Sequence, residues 1–227
     1  MTLAIFDLDN TLLGGDSDYL WGTFLAEKGL VDQATYDRKN KHFFKQYEEG
    51  TLDIQEYLSF ALAILAEHDR STLDGWHREF MQRKVMPIIH DKGRELLAKH
   101  RAQGHTLIII TATNRFLTQP VALELGVDAL LATEAEQNPD GTYTGHSCDI
   151  PCFKEGKVTR LERWMKENLA DLEGSWFYSD SLNDIPLLSR VDHPVAVDPD
   201  PTLQAEAEKQ GWPVISLRSD DAEAACA

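Results

Sequence analysis

The sequence predicts an α/β fold: a doubly wound parallel sheet interrupted early by an inserted all-helical domain. Three observations predict it. A short apolar run, Leu3-Ala4-Ile5-Phe6, is followed by a stretch with no convincing strand before about Met86. After Pro87, apolar β-branched runs alternate with helical periodicity, the pattern of parallel strands joined by crossover helices. The first run and two of the later ones end in polar clusters, and open α/β sheets bind their ligands beyond the carboxyl ends of their strands.

Taken in order, the first run is bounded by polar residues and too short for a helix, so it reads as a buried strand. Asp7 and Asp9 follow, one leucine apart. In extended chain, residues i and i+2 share a face, so the two carboxylates converge. Like charges that close repel unless a cation lies between them or one is protonated. A divalent metal with a phosphorylated substrate removes the repulsion. The alternative is a solvated Asp-rich turn, which apolar Leu8 and the Leu12-Leu13 pair make less attractive.

Asp16-Ser17-Asp18 are helix-starting residues, and Tyr19-Leu20, Phe24-Leu25 and Lys28 extend a helix that ends near Gly29. A second helix, 32–49, carries Tyr36, Phe43, Phe44 and Tyr47 and closes at Gly50. Asp53, with Glu56 three residues on, is a capping-box pattern. It opens a third helix with Ile54, Tyr57, Leu58, Ala61, Leu62 and Leu65 at helical spacing. A fourth runs from near Ser71 through Trp76, Phe80 and Val85 and is stopped by Pro87. The division expected is a core of residues 1–14 and 88–227 with a helical domain at 15–87. The aromatic stripes of the insert read as packing rather than as a cofactor box.

Beyond Pro87, 91–103 is a helix with Leu96 and Leu97 inward, terminated by Gly104. Leu107-Ile108-Ile109-Ile110 is a buried strand ending in Thr111-Ala112-Thr113-Asn114. A helix at 115–125 precedes a short strand at 128–132. Asn138-Pro139-Asp140-Gly141 signals a hairpin with Thr142-Tyr143-Thr144 as the returning strand. A helix at 155–168 turns Val158, Leu161, Trp164 and Met165 inward. Trp176-Phe177-Tyr178-Ser179-Asp180 is a strand ending in an acid, and 183–189 a short helix. Pro194-Val195-Ala196-Val197 and Val214-Ile215-Ser216-Leu217 are the last strands, and the acidic, alanine-rich tail from Ser219 is expected to be mobile.

Composition narrows the function. The 227 residues carry 38 acids against 22 Lys and Arg, a formal net charge of −16. That field repels nucleic acid and anionic membranes, so neither is an expected partner. It also repels a phosphate ester unless a metal and local cations reverse the sign at the site. No apolar run reaches spanning length and no basic segment precedes an apolar one at the amino end, which points to the cytoplasm. Cys148, Cys152 and Cys226 are an odd set that implies no disulfide framework. With His146, Cys148 and Cys152 have ligand chemistry for zinc but lack a fourth ligand at recognisable spacing, so isolated structural cysteines are the preferred reading.

If the strands ending in Asp7, Thr111 and Asp180 are adjacent, four carboxylates (Asp7, Asp9, Asp180 and Asp184) and a hydroxyl share one crevice. Oxygen ligands in that number favour magnesium over zinc or copper. Lys157 heads a helix able to bring a cation to the same crevice; a solvated surface lysine is the alternative. Together, Asp7-Leu8-Asp9-Asn10-Thr11-Leu12, Thr111, Lys157 and Ser179-Asp180-Ser181-Leu182-Asn183-Asp184-Ile185-Pro186 resemble the haloacid dehalogenase superfamily of phosphohydrolases. The helical insert resembles the cap of its phosphoserine phosphatase-like branch.

The resemblance implies that Asp7 is the nucleophile that becomes an aspartyl-phosphate. Asp9 then protonates the leaving alkoxide and later deprotonates water. It implies that Thr111 hydrogen-bonds a phosphoryl oxygen and that Lys157 neutralises charge. It further implies Mg2+ held by Asp7, the carbonyl of Asp9 and Asp180, with Asn183 and Asp184 in support. The substrate expected is a small-molecule phosphomonoester.

Departures from the branch bear on which ester that is. Its phosphoserine phosphatases place a glutamate seven residues after the second aspartate to recognise an amino group; here Asp16 stands there, with Asp18 close by. Where they hold a carboxylate with a cap arginine, counting from Gly50 reaches Ser59. Arg38, Arg70, Arg78 and Arg83 are the substitutes available elsewhere. Ala112 and Thr113, followed by Asn114, stand where the family often has two glycines. The expected ester therefore bears an amine and no carboxylate, as histidinol phosphate does, with phosphoserine second. Asp9 argues against a dehalogenase. A phosphoryl-transferring mutase and a non-catalytic binding module are the remaining alternatives.

Overall fold

The computed structural model describes residues 1–218, so the tail from Ser219 and Cys226 lie outside the described residues. A seven-stranded sheet has the order β4-β3-β2-β1-β5-β6-β7. β1 (Leu3–Phe6) is central, with β2 (Thr106–Asn114) and β5 (Trp176–Ser179) parallel on either side. β3 (Ala129–Gln137), β6 (His193–Val197) and β7 (Val214–Ile215) continue the parallel sheet outward. β4 (Tyr143–Cys148) closes one edge antiparallel to β3. The winding direction reverses at β1, which opens a crevice at its carboxyl end.

The central strands are largely apolar because both faces are covered. Leu3 and Ile5 point into a cluster with Leu161 of α7 (Glu155–Asn168), Leu187 of α8 (Ile185–Leu188) and Leu203 of α9 (Pro201–Gln210). Ala4 and Phe6 point the other way, toward α5 (Asp91–Ala102) and α6 (Arg115–Leu125) and on into the insert. The stretch 15–87 holds α1 (Ser17–Glu27), α2 (Gln33–Glu48), α3 (Ile54–Ala66) and α4 (Arg70–Phe80), and no strand. Each of the four opens on an aspartate, Asp16, Asp32, Asp53 or Asp69, whose side chain accepts from a backbone N–H in the first turn, worth about 1 kcal/mol apiece. The ends of the insert are clipped together. Leu13 and Ile89 form an antiparallel bridge, Gly14 N donates to Ile88 O (2.7 Å), and His90 N donates to Leu12 O (3.0 Å).

Four features differ from the expectations. The helix expected to reach Val85 ends at Phe80; a π turn (Met81–Val85) and a 3-10 turn (Met86–Ile88) follow. Pro87 has no N–H to donate and its ring crowds the preceding turn, so the helix exit loosens before it. β2 runs on through Thr111 to Asn114, with its register against β3 broken between those residues. β3 and β4 are longer than expected, because beyond Thr133 β3 leaves β2 and pairs with β4 in a half-exposed polar hairpin. Such a ribbon has no apolar alternation to read. Finally, α9 was not anticipated, although Asp200 caps it, Pro201 stands in its first turn and Gly211 ends it in the left-handed region.

Candidate active site

The crevice gathers side chains from three strand ends and the head of one helix. Asp7 N still donates to Tyr178 O of β5 (2.9 Å), which fixes the first carboxylate beside β5. The chain then turns on the Leu8 carbonyl, which accepts from Leu12 N and Leu13 N (2.9 and 3.0 Å). Asp9 therefore reaches the same cavity as Asp7 from a turn, not from continued extended chain. Its Oδ1 accepts from Ser17 N (2.7 Å) and its Oδ2 from the Thr113 hydroxyl (2.8 Å).

Lys157 is buried in the first turn of α7. Its ammonium lies 2.7 Å from Asp7 Oδ1 and 2.7 Å from Asp184 Oδ2. Ser179 Oγ donates to the same Asp184 oxygen (2.7 Å). Asp180 accepts from Thr11 Oγ1 at Oδ1 (3.0 Å), while its own N–H donates to that hydroxyl (3.1 Å). Asn183 donates from Nδ2 to Tyr47 O of α2 (3.1 Å).

Buried charge dominates the energetics. Burial pushes the Asp7 carboxyl up to about 7, with Lys157 opposing and Asp184 adding to the rise. Burial, then Asp7 and Asp184, hold Asp180 well above the usual carboxylate range. Burial opposes the charge on Lys157, but Asp184 and Asp7 outweigh it and raise the ammonium above its ordinary value. Asp9 is raised to about 6 by burial and the nearby Asp16, against hydrogen bonds from Ser17 and Thr113. Asp16 and Asp18 are each raised to about 6, chiefly by burial.

Asp7 and Asp184 thus pair with one ammonium while Asp180 stands near both carboxylates, leaving two negative charges uncompensated when all three are ionised. Asp184 Oδ1 and Asn183 Oδ1 are also buried without a hydrogen-bond partner. A hard divalent cation suits that donor set. No trio of His, Cys, Asp or Glu side chains among the described residues forms a ready cation cage.

A cavity lies in front of Asp7, between the sheet and the insert. Asp7, Asp9, Asp16, Thr111, Ala112 and Thr113 line its sheet side and the start of α1. Six aromatic side chains complete it: Tyr19, Phe43, Phe44, Tyr47 and Tyr57 from the insert, and Phe153 from the loop before α7. None of the residues lining it is Lys or Arg. The aromatic stripes expected only to pack therefore also form walls: Phe43 packs on Tyr57 and Phe60 and faces the cavity as well.

Asp18 is placed behind this wall, where the Tyr57 hydroxyl donates to its Oδ2. Asn114 accepts from Leu117 N (3.2 Å) as the cap of α6. Thr11, Ser179, Ser181 and Tyr47 were not singled out beforehand, although the first three belong to the two motifs quoted. Arg70 pairs with Asp74 and Arg83 with Glu79, both outside the cavity. Cys152 is buried, its thiol donating to Leu131 O (3.5 Å), while Cys148 is exposed on β4. No helix among the described residues is long and apolar enough to cross a membrane.

Known proteins resemble this chain in sequence and in fold. Residues 4–189 match the family described as haloacid dehalogenase-like hydrolase. A histidinol-phosphatase of Neisseria meningitidis serogroup C (strain 8013) is 43% identical over 219 residues, covering 95% of this chain and 99% of that protein. A crystal structure of a protein of unknown function from Bordetella pertussis Tohama I superposes with a TM-score of 0.89 at 41% identity, over 96% of this chain and 100% of that one. A phosphoserine phosphatase carrying a phospho-aspartyl intermediate analogue superposes at 0.71 with 18% identity, over 98% and 96% of the two chains, a likeness of fold.

Proposed function

The chain belongs to the haloacid dehalogenase-like hydrolases, and we propose that it is a magnesium-dependent phosphomonoesterase for an amino-alcohol phosphate such as histidinol phosphate. One observation carries the substrate class. The cavity offers carboxylates and aromatic faces and no Lys or Arg. An ammonium on the substrate gains from Asp16 and from the rings. A substrate carboxylate would be desolvated there with no cation to meet it. The relative named histidinol-phosphatase supports the same choice.

In this reading Asp7 attacks phosphorus, the bond to the ester oxygen breaks, and an aspartyl-phosphate forms. Asp9, raised to about 6 by burial and aimed by Ser17 N and Thr113, gives its proton to the departing alkoxide. It then takes a proton from the water that attacks the aspartyl-phosphate and frees inorganic phosphate. Lys157 offsets charge on Asp7 and the phosphoryl group, and Thr111 hydrogen-bonds a phosphoryl oxygen. Mg2+ would be held by Asp7, the Asp9 carbonyl and Asp180, with Asn183 and Asp184 in support, and when bound supplies charge neutralisation at the phosphoryl oxygens. Asp18 would steady the amine-binding wall through Tyr57, and Asn114 would hold the Ala112-Thr113 edge by capping α6. A cytoplasmic setting is part of the proposal.

A panel of phosphomonoesters read by free phosphate tests it. Histidinol phosphate is expected to exceed phosphoserine in kcat/KM by at least about tenfold; turnover confined to carboxylate-bearing esters would overturn the ranking. Asp7→Asn should abolish turnover with thermal stability retained, and an undiminished rate in that variant would remove the covalent route.

A further inference from the structure

We propose that Asn40 is a specificity-determining residue that reads a nitrogen-bearing ring on the substrate, an inference that rests on the amino-alcohol phosphate reading and deepens it. Along α2, Asn40, Phe43, Phe44 and Tyr47 stand at i, i+3, i+4 and i+7, one face of the helix, and all four line the cavity that holds Asp7 and Asp9. The Tyr47 end of this face is fixed over the carboxylates, because Tyr47 O accepts from Asn183. Two turns back, about 10 Å along the axis, stands Asn40. It is the one primary amide on a face otherwise aromatic.

Two further observations point at that amide. Half-buried against the rings, it has no hydrogen-bond partner among the described residues, so a donor and an acceptor are both unclaimed. Its place also depends on Gly22, in the middle of α1, where a Cβ would lie 2.6 Å from Asn40 Nδ2. A glycine inside a helix costs about 1 kcal/mol relative to alanine. Gly22 has no positive φ to justify it, so what the glycine secures is room for Asn40 and, less tightly, for the Tyr36 ring at 3.2 Å.

An imidazole carries one N–H donor and one bare nitrogen. The Asn40 amide can accept from the first or donate to the second while the flat ring lies on the aromatic wall. A phenyl ring of similar shape leaves the amide unpaired, and sites built to hydrogen-bond a substrate group reject analogues that lack it.

Histidinol phosphate and phenylalaninol phosphate, alike except for the ring, provide the test. Wild type should favour the imidazole ester by about 100-fold in kcat/KM. Asn40→Leu should reduce that ratio to about 5-fold or less, by losing rate on the imidazole ester while the phenyl ester is kept. Gly22→Ala displaces the amide, and crowds Tyr36, from a position that does not itself line the cavity. It should lower the ratio likewise, with a melting temperature equal to or above wild type. A wild-type preference that survives in both variants overturns the assignment of Asn40 alone. Failure of wild type to hydrolyse either ester overturns the substrate reading, and this inference with it.

Discussion

Asp9 is held at both oxygens, and the two holds do different things. The Ser17 N–H ties it to the start of the insert, whereas the Thr113 hydroxyl ties it to β2. Thr113→Val leaves Oδ2 without its donor, a loss of about 1–3 kcal/mol for a buried acceptor. Because the lost bond favours the carboxylate, the Asp9 value should rise further. The basic limb of kcat/KM should therefore move to higher pH, with kcat down about 10- to 100-fold. A lower rate with an unmoved pH profile would mean that Thr113 only packs. At this scale the acids were legible in the sequence, since Asp7, Asp9, Asp180 and Asp184 follow the ends of strands, where ligands bind. Their anchors were not. Thr11 meets Asp180 across 169 positions of chain, and only the adjacency of β1 and β5 makes that pair. A hydroxyl in a Ser/Thr turn looks the same whether it caps a helix or orients a catalytic acid.

The last turn of α2 is seized from the sheet side by two donors. Lys154 Nζ reaches Gly50 O (2.7 Å) and Asn183 reaches Tyr47 O (3.1 Å). Lys154 does so from φ 50 and ψ −123, a conformation that costs a non-glycine residue about 1–3 kcal/mol. Lys154→Gly should relieve that strain and so keep or raise the melting temperature, while the lost clasp raises KM several-fold with kcat changed less. Unchanged KM in a folded variant would show the clasp to be incidental. Elements were legible wherever apolar periodicity and caps agreed, as in α1 and α3, opened by Asp16 and Asp53. The β3–β4 hairpin was not, being half exposed and polar. In α9 the capping residues were present, but among its alanines and glutamates only Leu203 and Ala207 are buried, too sparse a stripe to recognise. The aromatic residues of α2 carried the right period for packing, and nothing in a one-dimensional pattern says that the same face also borders a cavity.

The whole molecule bears a net charge of −16 and concentrates part of it in the crevice. Without metal, the folded-state values of Asp7 (about 7) and of Asp9, Asp16 and Asp18 (about 6) exceed the ordinary 3.8. The folded chain then holds protons that the unfolded chain releases. Their stabilisation is full below pH 3.8 and is lost as pH rises through about 6 to 7. His100 acts oppositely, since burial takes it from 6.5 to about 4, so its contribution falls as pH drops from 6.5 toward 4. Between about pH 8 and pH 6 the carboxyls dominate. In chelator the melting temperature should therefore rise by several degrees on moving from pH 8 to pH 6. Saturating Mg2+ should raise the pH 8 value and flatten that trend. A chelated protein that melts at the same temperature across this range would contradict the crowding of Asp7, Asp180 and Asp184. The clip at Leu13 and Ile89 has a consequence at this scale too. Both segments that join the helical insert to the sheet are hydrogen-bonded to each other there, so the two exits of the insert are held side by side. Hydrolysis is accordingly expected with free metabolite esters and not with a phosphoserine on a folded protein, and free-phosphate release from such a phosphoprotein would contradict it.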